Sequence, residues 1–166
     1  MKKYLTLILV AVSFLSHSQD GFETLDDAAF SIKYPGTWEL NQSGQMGMSF
    51  ALFSPVKFDG DQFRENVNLV VQDISSYNMD LTDFVNLSKN QIKTMIQDGN
   101  ILESEGTEDY QKIIYTGTMG QFKLMFKQHY WINGSNAYIL TFTAEQSEYD
   151  NYAEISRQIM DSFLLK

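Results

Sequence analysis

Ionisable and aromatic side chains that could share a site are few in this chain. His129 is one of two histidines, and the other, His17, lies in the N-terminal leader. In an alternating strand over 121–132, His129 falls on one face with Lys123, Lys127 and Trp131, opposite Phe122, Leu124, Phe126 and Tyr130. An imidazole there could act as a general base or a ligand. Two lysines beside an indole could receive an acidic or aromatic ligand by charge and cation–π contact. The plainer reading is a solvated strand face with lysines guarding an edge. "FDGDQF" sets Asp59 and Asp61 around Gly60, where a divalent cation could sit with help from Gln62 and Glu65. The spacing of a calcium loop is absent, so a polar turn is the simpler account. "ILESEGTED" carries Glu103, Glu105, Glu108 and Asp109, which could dock a basic partner or form a solvated hairpin tip.

Much other chemistry is excluded. The chain has no cysteine, hence no disulfide and no thiol nucleophile. It contains no HExxH and no glycine-rich phosphate loop. "GMSFA" places Ser49 at the start of a strand and lacks the second glycine of a nucleophile elbow. No catalytic motif and no cofactor motif is found, and a non-enzymatic protein is expected. The formal charge of −9 disfavours nucleic acid as a partner.

The elements that would position these residues follow from punctuation and periodicity. Lys2 and Lys3, the apolar run Tyr4 to Leu15 and the small residues Ser16 and Ser18 make a secretory signal peptide over 1–18, too short to span a bilayer. Cleavage after Ser18 removes two lysines and no acid, taking the charge from −9 to −11 and leaving one domain over 19–166. No later segment is long and apolar enough for a transmembrane helix, and an exported, periplasmic or extracellular bacterial protein is expected.

Asp20 to Ala29 reads as an acidic lead-in. Strands are expected over 29–34, 49–54 and 67–74, with mobile or polar loops at 41–48 and 57–66. Val67, Leu69 and Val71 lie on one face of the third strand, and Val70 and Ile74 on the other, so the sheet should be covered on both sides. A helix follows from the N-cap Asp80 toward Gly99, with Leu81, Phe84, Val85, Ile92, Met95 and Ile96 in one stripe. Strands at 100–105, 110–118, 121–132 and 136–144 form a meander, with a type I′ turn at Asn133-Gly134. A last helix starts near Ser147. The order is βββ, helix, ββββ, helix, which makes the class α+β: an antiparallel sheet of about six to seven strands flanked by two helices.

"FSIKYPGTWEL" joins the first of these strands to a turn and a tryptophan. Pro35 and Gly36 suit a type II turn over Tyr34 to Thr37, returning Trp38 to the apolar side of Phe30, Ile32 and Tyr34. "FSIKYPGTW" also resembles the opening of PsbP-like proteins, a family named after the extrinsic subunit of photosystem II. "DQFRENVNLVVQD", "NGSNAYILTFTAEQSEYDNY" and "IMDSFLL" resemble its later segments, in order, over nearly all of 22–166. Among such proteins, the relatives expected are small exported bacterial members, similar to DcrB-like periplasmic proteins. The resemblance implies a central antiparallel sheet flanked by helices, with Tyr34, Pro35, Gly36, Trp38, Asn66 and Asn68 as structural motif residues. It also implies an accessory, scaffolding or binding role.

Two functions fit these residues. The first is an accessory module of the cell envelope that binds an unidentified protein partner, through the loops 41–48 and 57–66. The alternative is a small-molecule or divalent-metal-binding protein with a pocket between sheet and helix.

Overall fold

The described residues form ten strands, most of them marked by alternating apolar side chains, and two helices marked by apolar stripes. The computed structural model describes residues 21–166; the leader expected over 1–18 lies outside the described residues. In chain order the elements are β1 (Phe22–Asp26), β2 (Phe30–Pro35), β3 (Glu39–Asn41), a 3-10 turn (Gln45–Gly47), β4 (Met48–Phe53) and β5 (Asn66–Asp73). Then come α1 (Leu81–Met95), β6 (Gln97–Gly106), β7 (Gln111–Met119), β8 (Phe122–Asn133), β9 (Asn136–Glu145), α2 (Tyr149–Asp161) and β10 (Leu164–Leu165).

Seven strands form the central sheet in the order β3-β4-β5-β9-β8-β7-β6, and three form a smaller sheet, β1-β2-β10. Every pairing is antiparallel. The class is α+β, as the alternation predicts. The lead-in is a strand rather than a loop: the whole of β1 pairs with β2, from Phe22↔Pro35 to Asp26↔Ser31. Its apolar residues, Phe22 and Leu25, are three apart, so no two-residue period marks it.

Apolar side chains occupy both faces of the central sheet. On one face Phe50, Leu52, Val67, Leu69, Leu140 and Phe142 meet Phe30, Ile32 and Tyr34 of the small sheet and Ile159 and Met160 of α2. On the other, Ile113, Tyr115, Leu124, Phe126 and Tyr130 meet Leu81, Phe84, Val85 and Ile92 of α1. The first helix starts where its cap predicts, the Asp80 carboxylate accepting the Asp83 N–H at 2.8 Å. It ends at Met95, before Gly99, which lies inside β6; Ile96 turns extended and the chain enters the strand directly. The second helix is preceded by Glu148 rather than capped by Ser147. The Glu148 carboxylate is held by Lys57 at 3.0 Å and Asn151 at 3.2 Å.

Two turns differ from the sequence expectation. Asn133 pairs with Asn136, so the hairpin's central residues are Gly134 and Ser135. Only Gly134 has positive φ, at 61°, which fits the II′ pattern rather than I′. At the other, the Trp38 N–H donates to the Pro35 carbonyl at 2.8 Å, so the turn runs one residue later than Tyr34 to Thr37. Gly36 does not have positive φ. A close approach favours glycine instead: a Cβ there would stand 3.1 Å from Glu23 Oε1 and 3.3 Å from the Gly21 carbonyl.

Candidate functional site

One helix cannot roof seven strands. Strands about 4.8 Å apart make the sheet about 29 Å wide, whereas a helix with its side chains is about 10 Å across. On the α1 face the helix packs chiefly over β6 and β8. The β4–β5–β9 side of that face is left as the floor of a groove of about 860 Å³ between sheet and helix. That volume suits a small-molecule ligand.

The alternation that buries Val67 and Leu69 on one face turns Asn66, Asn68 and Val70 to the groove. Register then assembles a polar patch in its centre. Asn66 lies opposite Thr143 and Asn68 opposite Thr141, which in turn faces Gln128. The Gln128 amide donates to Thr141 Oγ1 at 3.1 Å, and Asn68 donates to Asn66 Oδ1 at 3.2 Å. The Tyr130 hydroxyl donates to Gln128 Oε1. Around this patch the lining is mostly apolar, with Phe53, Val70, Ile139, Leu124 and Phe126 from the sheet and Phe84 and Ile92 from α1; Gln72, Ser88 and Gln91 add neutral polar groups. Burial pushes the phenols of Tyr115 and Tyr130 well above their ordinary pKa, so both stay neutral.

The rim is exposed and apolar. Met46 from the 3-10 turn is 89% exposed and Met95 from α1 is 76% exposed. Met95 therefore completes the groove and not the helix's buried stripe. Phe63 of the 54–65 loop and Phe122 close one end, their rings 5.2 Å apart. Both loops read from sequence as contact loops thus contribute side chains to this groove.

The 54–65 loop is fixed by a buried charge. Glu65 is 0% exposed; its carboxylate accepts from Lys57 Nζ at 3.1 Å and Ser54 Oγ at 3.3 Å. Lys57 also pairs with Glu148 and lies over the Tyr152 ring at 5.1 Å. Burial pulls the Lys57 ammonium pKa down, but the bonds to Glu148 and Glu65 outweigh it and raise it. Lys57 thereby ties the loop to the start of α2, and without it Glu65 would be a buried charge missing its counterion.

The residues singled out by their chemistry lie elsewhere. Lys123, Lys127, His129 and Trp131 share the opposite face of β8, and none lines the groove. They do not form an open surface together. His129 is 6% exposed, edge-on to Tyr110 at 5.3 Å, and Trp131 packs on Phe163 at 5.0 Å. Lys127 is half-buried, its pKa lowered first by burial and then by Lys112; Lys123 is exposed. Asp59 is exposed, and Asp61 accepts the Lys57 and Phe63 N–H groups at 3.2 and 3.3 Å as a turn residue does. Among the described residues no three His, Cys, Asp or Glu side chains gather to hold a metal. The acidic run is partly paired: Lys112 meets Glu105 at 2.6 Å and Glu103 at 3.5 Å. Tyr34 donates to Glu23 at 2.9 Å, Pro35 and Gly36 form the bend, and Trp38 is buried in the core.

This architecture is the PsbP-like fold. The structure is similar to that of cyanobacterial PsbP (CyanoP) from Synechocystis sp. PCC 6803, with a TM-score of 0.65 and 15% identity over 91% of this chain and 96% of that one. A protein of unknown function, PA94, from Pseudomonas aeruginosa is similar at a TM-score of 0.62 and 11% identity, over 87% of this chain and 97% of that one. LpqN of Mycobacterium tuberculosis, described as involved in cell envelope biogenesis, is similar at 0.60 and 10% identity, over 87% and 90%. No protein-family model and no curated protein sequence matches the chain. The likeness is one of fold.

Proposed function

We propose that this chain is an exported, non-enzymatic binding module of the bacterial cell envelope, whose ligand occupies the groove between the central sheet and α1. The observation that carries the reading is the groove itself: about 860 Å³, apolar, with a patch of uncharged hydrogen-bonding groups at its centre. Pockets of that composition are how folds hold small ligands. Export is supported by the leader sequence and the envelope setting by the fold shared with LpqN.

Nile red, a neutral dye that brightens in apolar surroundings, tests the groove. The protein is expected to enhance its fluorescence saturably. Ala51→Trp, which fills the floor, should abolish the enhancement. Gln91→Trp, at an exposed position on the α1 side, should weaken it without disturbing the core. Undiminished dye binding in both folded variants would locate the apolar site elsewhere.

A further inference from the structure

The groove's electrostatics restrict what it can hold. In a chain of net charge −9, the residues lining it include no Asp, Glu, Lys, Arg or His. Charged side chains do line an adjoining, smaller pocket of about 390 Å³ that shares Phe53, Phe63 and Asn66 with the groove. They are already engaged. Arg64 pairs with Glu39 at 2.7 Å and donates to the carbonyls of Ser54 at 2.6 Å and Phe53 at 3.3 Å. The Asp61 carboxylate accepts the two backbone N–H groups described above.

A carboxylate, phosphate or ammonium brought into the groove would therefore lose water and gain no counterion, which is strongly unfavourable. A neutral polar group loses water too, but it is met by the central patch. Asn68 Oδ1 and Thr143 Oγ1 have no hydrogen-bond partner among the described residues and face the groove. They offer an acceptor and a hydroxyl that can donate or accept. The thioethers of Met46, Met95 and Met119 at the rim adapt to chains of varied shape.

We infer that the ligand is an uncharged amphiphile: an acyl-type chain against the apolar walls, carrying a neutral ester, amide or hydroxyl group that hydrogen-bonds to Asn68, Thr141 and Thr143. This assignment rests on the groove reading above and goes beyond it in naming the ligand's chemical class.

Displacement of Nile red by three amphiphiles of equal chain length decides it, each used below its micellar concentration. The probes are 1-decanoylglycerol, decanoate at pH 7.5 and decyltrimethylammonium. The neutral glyceride should displace the dye at concentrations about tenfold or more below either ion, a difference of about 1.4 kcal/mol or more. Because neutral chains also partition better in general, Asn68→Lys supplies the control. It places a cation in the patch and should improve decanoate about tenfold while leaving decyltrimethylammonium weak. Equal displacement by decanoate and the glyceride, or an unchanged order in Asn68→Lys, would overturn the assignment while dye binding left the groove reading standing. A concentration-dependent dimer that excludes the dye would also overturn it, by giving the groove to a second copy. Absence of dye binding by the monomer would defeat the groove reading itself.

Discussion

Replacing Trp38 with alanine is expected to lower the unfolding free energy by about 3–5 kcal/mol, as large-to-small changes in a core do. The indole is 7% exposed and stands edge-on to Tyr152 of α2, ring centres 6.2 Å apart. It joins the end of β2 to the helix that covers that face, alongside Tyr34 and Phe30. Truncation would leave a cavity walled by the central sheet, the small sheet and α2, three elements that cannot close on it independently. Urea unfolding followed by far-UV circular dichroism measures the change. A loss below about 1 kcal/mol would mean that the ring is not part of the core.

Lowering the pH from 7.5 to 4.5 is expected to cost the protein about 2 kcal/mol through His129 alone. Burial, then Lys127 and Lys112, depress its pKa from 6.5 to about 4; Asp161 offsets this in part. The folded protein thus holds the imidazole neutral at a pH where the unfolded chain protonates it. The stabilisation is complete above pH 6.5 and is lost as pH falls through the window down to about 4. Urea titrations across that range should show His129→Gln losing less stability than the parent, by about 2 kcal/mol at pH 4.5. Parallel curves would show that the imidazole accepts a proton inside the fold at no cost. Such a result would restore His129 as a candidate for proton chemistry.

The core was legible because each of its strands announces one buried face. Phe122, Leu124, Phe126 and Tyr130 do point together, and Asp80 does cap α1. A pocket between sheet and helix was foreseeable, but the residues that line it were not, for the same physical reason. Asn66, Asn68, Thr141, Thr143 and Gln128 alternate with core residues and so read as outward-facing positions. Only the pairing of β5 with β9, distant in sequence, shows that they form one patch. Nor does a local pattern say how much of a sheet one helix will cover. His129 misled in the opposite direction. Its side of β8 carries Lys123 and Lys127 and so appears solvated, but Tyr110 and Trp131 bury the imidazole.

The small sheet also has a mechanical consequence. β1 and β10 both run antiparallel to β2, so they point the same way on either side of it. Phe22 lies beside Pro35 at one end of β2, whereas Leu165 lies beside Phe30 at the other. Lys166 continues this end, its N–H donating to Ala29 and its ammonium pairing with Asp26 at 2.7 Å. Tension applied between Gly21 and Lys166 is therefore directed along the strands and across their hydrogen bonds, which lie perpendicular to it. Both ladders, five residue pairs between β1 and β2 and two between β2 and β10, are loaded in shear rather than opened one bond at a time like a zip.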